Sequence, residues 1–171
     1  GPTPSERHSS SLQFPNQAEG KCERSRCRAT SVITYVDTST LIKLIVDEEG
    51  SERAELIWQS ADSVASVSLV VVEARAALAA AERGQRLSTD QLHVAKTELA
   101  AFVDDLHVVE VTEELVESAA QLAETESLRG YDAVHLAAAV FVGAAVLTSA
   151  DRALCEAAER QGLHIADPLT A

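Results

Sequence analysis

At 171 residues and 46% apolar side chains, the chain suits a single domain whose core needs no disulfide or metal staple. Its net charge of −13 excludes a broad basic face of the kind that binds duplex nucleic acid through phosphate neutralisation. No run of about 18 apolar residues offers a bilayer span, and the amino terminus lacks the apolar core of a signal peptide, so the reading is a cytoplasmic protein with no membrane partner.

The charge is uneven along the chain. Residues 1–30 hold five Lys/Arg against three Glu, a net of +2, which leaves −15 for the remainder. Gly1-Pro2 reads as a cloning remnant, and residues 3–30, rich in Ser, Pro, Asn and Arg without apolar periodicity, read as a flexible tail. Of the three cysteines, Cys22 and Cys27 lack the second pair or nearby His of a zinc site, and an odd count with Cys155 fits a reducing compartment. From residue 31 the pattern changes. Val32-Ile33-Thr34-Tyr35-Val36 is a β-branched and aromatic run ending at Asp37, and Thr40 to Val46 is an apolar helix. A helix with Ser51 at its start, a strand Ser63 to Val67, and a helix Leu69 to Arg83 stopped by Gly84 follow. Ser88 caps a further helix with Leu92, Ala95, Leu99, Phe102 and Val103 at helical spacing. Then come a strand His107 to Val111, a helix opened by Thr112-Glu113-Glu114, a nearly all-apolar helix Asp132 to Val142, a strand Ala145 to Thr148, a helix Asp151 to Gln161, and a last strand His164 to Ala166. Strands alternating with helices predict an α/β fold, with a parallel sheet covered on both faces. With aromatics at 4%, Ala, Val and Leu must fill its core.

Four acids occupy structured places: Asp37 and Asp151 after strands, Asp132 at the start of the most apolar helix, and Glu73 in the apolar run Leu69 to Leu78. Singly, each aspartate reads as a helix cap and Glu73 as an exposed helix residue. Jointly, strand ends and the helix starts that follow them fall on one edge of a parallel sheet. Four carboxylates gathered there repel unless a divalent cation lies among them.

The blocks Tyr35-Val36-Asp37-Thr38-Ser39-Thr40-Leu41-Ile42-Lys43-Leu44, Val72-Glu73-Ala74-Arg75-Ala76-Ala77-Leu78, Tyr131-Asp132-Ala133-Val134-His135-Leu136-Ala137-Ala138-Ala139 and Leu147-Thr148-Ser149-Ala150-Asp151-Arg152-Ala153-Leu154 closely resemble, in order and spacing, the PIN-domain ribonucleases, especially VapC-type toxins of toxin–antitoxin systems. The resemblance covers roughly residues 32–168. It implies a three-layer α/β/α PIN fold over 31–171 with a central parallel sheet of four to five strands. It implies a metal-dependent endoribonuclease in which Asp37, Glu73, Asp132 and Asp151 form an acidic quartet for Mg²⁺ or Mn²⁺, with Asp37 and Asp132 as inner ligands and Asp151 and Glu73 direct or through water. Such an ion activates water for attack on an RNA phosphodiester. Thr38, Ser39 and Thr148 become candidate supporting polar groups, and Lys43, Arg75, Arg129 and Arg152 candidate contacts to RNA phosphates. His135 lies three residues after Asp132 on the same helical face, and reads first as a satisfied core histidine. The family also implies a homodimer and a cognate antitoxin protein, laid over a groove that Leu56, Ile57 and Trp58 would line, with DNA binding left to that partner.

Four other readings stand beside this one. An aspartyl-nucleophile phosphotransferase needs a second Asp where this chain has Ser39, and a receiver domain needs a Lys after its late strand, where Leu147 to Asp151 offers none. A PIN-like fold kept only as an interaction module, or another metal-dependent phosphohydrolase, is compatible with the same residues.

Overall fold

The computed structural model describes residues 31–170. The expected tail, with Cys22 and Cys27, lies outside them. The β-branched runs become β1 (Ile33–Val36), β2 (Ser63–Val67), β3 (His107–Val109), β4 (Val146–Thr148) and β5 (His164–Ile165). All neighbours pair in parallel, in the order β3-β2-β1-β4-β5. Seven described helices fill the connections: α1 (Thr38–Ile45), α2 (Ser51–Ser60), α3 (Leu69–Arg83), α4 (Thr89–Asp105), α5 (Glu113–Glu126), α6 (Gly130–Phe141) and α7 (Arg152–Arg160). All five expected strands are present. None of the described helices is long and apolar enough to cross a membrane.

Side chains alternate across a strand, so each strand feeds two cores. Tyr35, Ala65, Val67 and Leu147 pack under α5, α6 and α7, together with Leu115, Leu136 and Leu154. Val36 faces the opposite layer of α1, α3 and α4, among Leu41, Leu78 and Leu99. The paired layers make the three-layer α/β/α fold. Because the chain builds outward from β1 in two directions, β1 and β4 flank the point where the winding reverses, and their carboxyl ends open a crevice.

Helix starts differ in detail from the sequence expectation. Ser88 forms a full capping box with Gln91 and Thr112 caps α5. Ser51, however, is the first residue of α2 and spends its hydroxyl on the Val46 carbonyl. Gly50 precedes it at φ +90°, where a Cβ would stand 2.6 Å from the Pro168 carbonyl oxygen. Gly143, at φ +65°, faces open space. Gly50→Ala therefore combines left-handed strain with a backbone clash and is expected to cost about 2–4 kcal/mol, against about 1 kcal/mol for Gly143→Ala. Urea unfolding of the two variants measures the difference.

Candidate active site

The crevice is set by backbone pairing. Val36 lies opposite Thr148, and one residue on, the Asp37 N–H donates to the Thr148 carbonyl at 3.0 Å. The Asp37 carboxylate thus arrives beside Ser149, and its Oδ2 accepts from the Ser149 hydroxyl at 2.7 Å, the Ser39 hydroxyl at 2.6 Å and the Ser39 N–H at 3.3 Å. Each serine is tied down in turn, Ser39 Oγ by the Ala150 N–H and Ser149 Oγ by the Asp151 N–H, both at 2.9 Å. These bonds fix the Asp37 side chain and leave Oδ1 outside the clamp. Asp151 caps α7, its Oδ1 accepting from the Leu154 N–H at 3.0 Å. Capping and membership of the acidic group are therefore not alternatives for these two aspartates; each does both.

Asp132 caps nothing. The cap position of α6 belongs to Arg129, and Asp132 sits in the first turn. Burial, then the negative fields of Asp151 and Asp37, hold its carboxyl above the usual carboxylate range, with Arg129 and His135 only partly offsetting them. That mutual repulsion places Asp37, Asp132 and Asp151 in one electrostatic neighbourhood.

Glu73, in the second turn of α3, is turned to a different partner. Its Oε2 lies 2.7 Å from Nε2 of His135 and accepts from the Thr38 hydroxyl at 3.1 Å. A carboxylate only accepts, so the imidazole carries its proton on Nε2 toward Glu73. The same nitrogen is 3.6 Å from Asp37 Oδ1. The other ring nitrogen, Nδ1, is 2.9 Å from the Tyr35 hydroxyl, which also accepts from the Val67 N–H at 3.1 Å. Burial opposes a charge on His135, but the bond to Glu73 and the fields of Asp37, Glu73 and Asp132 outweigh it, and its pKa is raised. Burial pushes the Tyr35 hydroxyl far above its ordinary value, so it stays a neutral phenol.

The four acids do not form a closed cage. Among the described residues, no group of three or more His, Cys, Asp or Glu is set closely enough to hold a metal ion as it stands. Several other expectations are corrected. Thr148 is fully buried and bonds Thr40 at 3.1 Å, because the last strand residue points into the core; the group at the site is Ser149, one residue later. Lys43 is buried, and its Nζ is spent on Glu48 at 2.9 Å and the Glu49 carbonyl at 2.8 Å, so it does not reach the crevice as a phosphate contact. Arg152 is 91% exposed and engages Glu156 one turn on. Arg75 is exposed but two residues from Glu73, on another side of α3. Of the four cations, Arg129 alone has its field felt at Asp132. Leu56 and Ile57 line a surface cavity of about 540 Å³; Trp58 lines the cavity next to it, the two sharing Ala61 and Asp62, and packs edge-on against Phe102. The Cys155 thiol is pushed up to about 12 by burial and neighbouring carboxylates, Asp167 first, and is no nucleophile.

His135, which reads from the sequence as a satisfied core histidine, lies within hydrogen-bond reach of Glu73 and Tyr35. Its spacing from Asp132 pointed to the right face, but its partners lie 62 and 100 residues away. The strain on Asp132 has a measurable sign. Its pKa is higher in the folded than in the unfolded chain, so ionisation costs stability as pH rises through the raised value. Asp132→Asn in EDTA is expected to match the parent's Tm below about pH 4 and to exceed it by about 1–3 °C at pH 7. Scanning calorimetry across that range reads the difference.

A family sequence profile described as PIN domain matches residues 34–160. Over 136 residues the chain is 38% identical to Ribonuclease VapC45 and to Ribonuclease VapC49, both of Mycobacterium tuberculosis strains, covering 78% of this chain and 94% of each relative. Among solved structures it superposes on PAE2754 from Pyrobaculum aerophilum with TM-score 0.60 and 24% identity, covering 79% of this chain and 84% of that one. It superposes on FitAcB from Neisseria gonorrhoeae with TM-score 0.63 and 17% identity, covering 81% and 99%. These structural likenesses carry the fold, and the sequence matches carry the lineage: the chain belongs to the PIN-domain family, as a relative of the VapC-type proteins.

Proposed function

We propose that this protein is the toxin of a toxin–antitoxin pair and a Mg²⁺- or Mn²⁺-dependent endoribonuclease, with residues 31–171 as its PIN domain and Asp37, Glu73, Asp132 and Asp151 as its acidic machinery. One observation carries the proposal: Asp37, Asp132 and Asp151, from three separate elements, stand close enough at the β1/β4 crevice that two of them oppose ionisation of the third. The donor chemistry fits a hard cation, since carboxylate oxygens are what Mg²⁺ and Mn²⁺ prefer and a divalent charge would relieve that repulsion. The arrangement is open, consistent with ions that retain waters. Asp37 Oδ1, Asp132 and Asp151 Oδ2 are the oxygens that would hold it. When bound, such an ion supplies charge to a phosphoryl oxygen and lowers the pKa of water.

The chain's own residues supply the rest. Ser39 and Ser149 hold Asp37 against the sheet edge, so its carboxylate needs no reorganisation during reaction. Arg129 is exposed and its field is felt at Asp132, which supports it as the contact to an RNA phosphate. Hydrolysis forms one P–O bond from water and breaks one P–O bond of the RNA, the leaving oxygen taking a proton.

A second copy of the chain would cover apolar surface next to this crevice. Leu69, Val116, Ala119, Ala123, Tyr131 and Val134 line a cavity of about 360 Å³ with Asp132's own helix on its rim, which supports the homodimer. The kinship with VapC-type toxins supports a cognate antitoxin.

Purified protein, freed of any partner, is expected to cut cellular RNA into discrete products with Mn²⁺ or Mg²⁺ and not with EDTA. Asp37→Asn should lower the rate at least about 100-fold, the scale of losing a positioned charge at the reacting centre. Metal-independent cleavage, or cleavage unchanged in Asp37→Asn, would contradict the proposal. Folded, Mn²⁺-binding protein that cuts no RNA would favour an interaction module.

A further inference from the structure

We propose that the cavity between α2 and the sheet, toward the end of β1 remote from Asp37, binds a small aliphatic carboxylate. Its chain would lie against Leu56, Ile57 and Val146, and its head on Arg53 and Thr34. The site is separate from the crevice and does not rest on the nuclease reading.

The argument starts from one hydroxyl. Of the buried polar side chains among the described residues, Thr34 alone makes no hydrogen bond to another described residue. Ser66 donates to the Val36 carbonyl, Thr40 and Thr148 bond each other, and Ser149 donates to Asp37. Thr34 is 6% exposed. No fully enclosed side-chain oxygen among the described residues lacks a partner, so the Thr34 hydroxyl opens onto the cavity that the residue lines. Val would suit a central strand equally well without a polar atom to satisfy. The hydroxyl is therefore a donor in need of an acceptor.

The walls define the rest of the ligand. Thr34 and Val146 are paired across β1 and β4, so they share one face of the sheet. Over that face α2 buries only Ala54 completely. Leu56 is 63% exposed, and with Ile57 it lines the cavity of about 540 Å³, a volume within the range of small-molecule sites. Arg53 belongs to the same lining. Its Nε donates to the Asp167 carbonyl at 3.0 Å, and it joins no ion pair among the described residues. The chain has 27 Asp and Glu against 14 Lys and Arg, yet this guanidinium is left to a backbone carbonyl. Its planar fork suits a carboxylate. Asp62, on the same cavity, accepts from the Val32 N–H at 3.2 Å and is turned to the start of β1. Its charge disfavours a second negative charge on the ligand, which selects a monocarboxylate over a phosphate dianion.

Calorimetric titration of the full chain with sodium octanoate is expected to show saturable, single-site binding. Octan-1-ol, with the same chain and no charge, should bind about tenfold more weakly, the scale of losing a charged hydrogen bond. Arg53→Gln should weaken octanoate binding by a similar factor, and Thr34→Val by about threefold or more. Without octanoate, Thr34→Val should leave the thermal midpoint unchanged or raised, since the hydroxyl it removes has no partner. No saturable binding would overturn the proposal. Equal affinity for octanol would overturn it as apolar partition alone, and octanoate affinity unchanged in both variants would place the binding elsewhere. A peptide ending in leucine that binds where octanoate does not would also overturn it, assigning the cavity to the carboxyl end of a protein. A lowered midpoint in Thr34→Val would show the hydroxyl already bonded within the fold and remove the premise. If Arg53→Gln fails to fold, the comparison of octanoate with octanol on the parent decides.

Discussion

The parallel pairing of β1 with β4 is the constraint on which the site depends. It places Val36 opposite Thr148 and carries the ladder one bond further, from the Asp37 N–H to the Thr148 carbonyl. From that bond, the chain directions alone deliver Asp37, Ser149 and Asp151 to one sheet edge. A slip of one residue would turn Asp37 away from the crevice and put an apolar side chain in its place. The register is fixed because both faces of β1 are buried, Tyr35 into one core and Val36 into the other. Core packing and site geometry are in this sense one specification.

The site is built from two electrostatic arrangements that meet at Asp37. On one side, the fields of Asp151 and Asp37 bear on the part-buried Asp132, partly offset by Arg129 and His135. On the other, His135 Nε2 lies 2.7 Å from Glu73 Oε2 and 3.6 Å from Asp37 Oδ1. Serine hydroxyls hold the shared aspartate between the two. Burial of polar groups here is well satisfied, as it must be in so apolar a surrounding: no fully buried side-chain nitrogen or oxygen among the described residues lacks a partner. The arrangement is rigid behind the carboxylates and open in front of them.

Much of this was legible in the chain because it rests on local signals. Strand–acid–helix junctions mark Asp37 and Asp151, and the alternation of strands and helices gives the layers and the parallel sheet. What was not legible rests on contacts across long separations. His135 looks like one more buried residue of an apolar helix until Tyr35 and Glu73 are brought to its two nitrogens. Thr148 and Ser149 are neighbours of nearly equal chemistry, and only the strand's alternation sends the first to Thr40 and the second to Asp37. Lys43 reads as a cation near the first block, yet the turn after α1 brings Glu48 and the Glu49 carbonyl to it. A helix position two residues from an acid, as at Arg75, is a neighbour in sequence and not in space.

The most direct test of an ion-holding crevice is a crystal structure of the protein soaked in Mn²⁺, with the ion located by its anomalous scattering. Density bordered by Asp37, Asp132 and Asp151 is expected there, at the carboxyl ends of β1 and β4. No ion at the β1/β4 crevice, or an ion held elsewhere on the molecule, would contradict it.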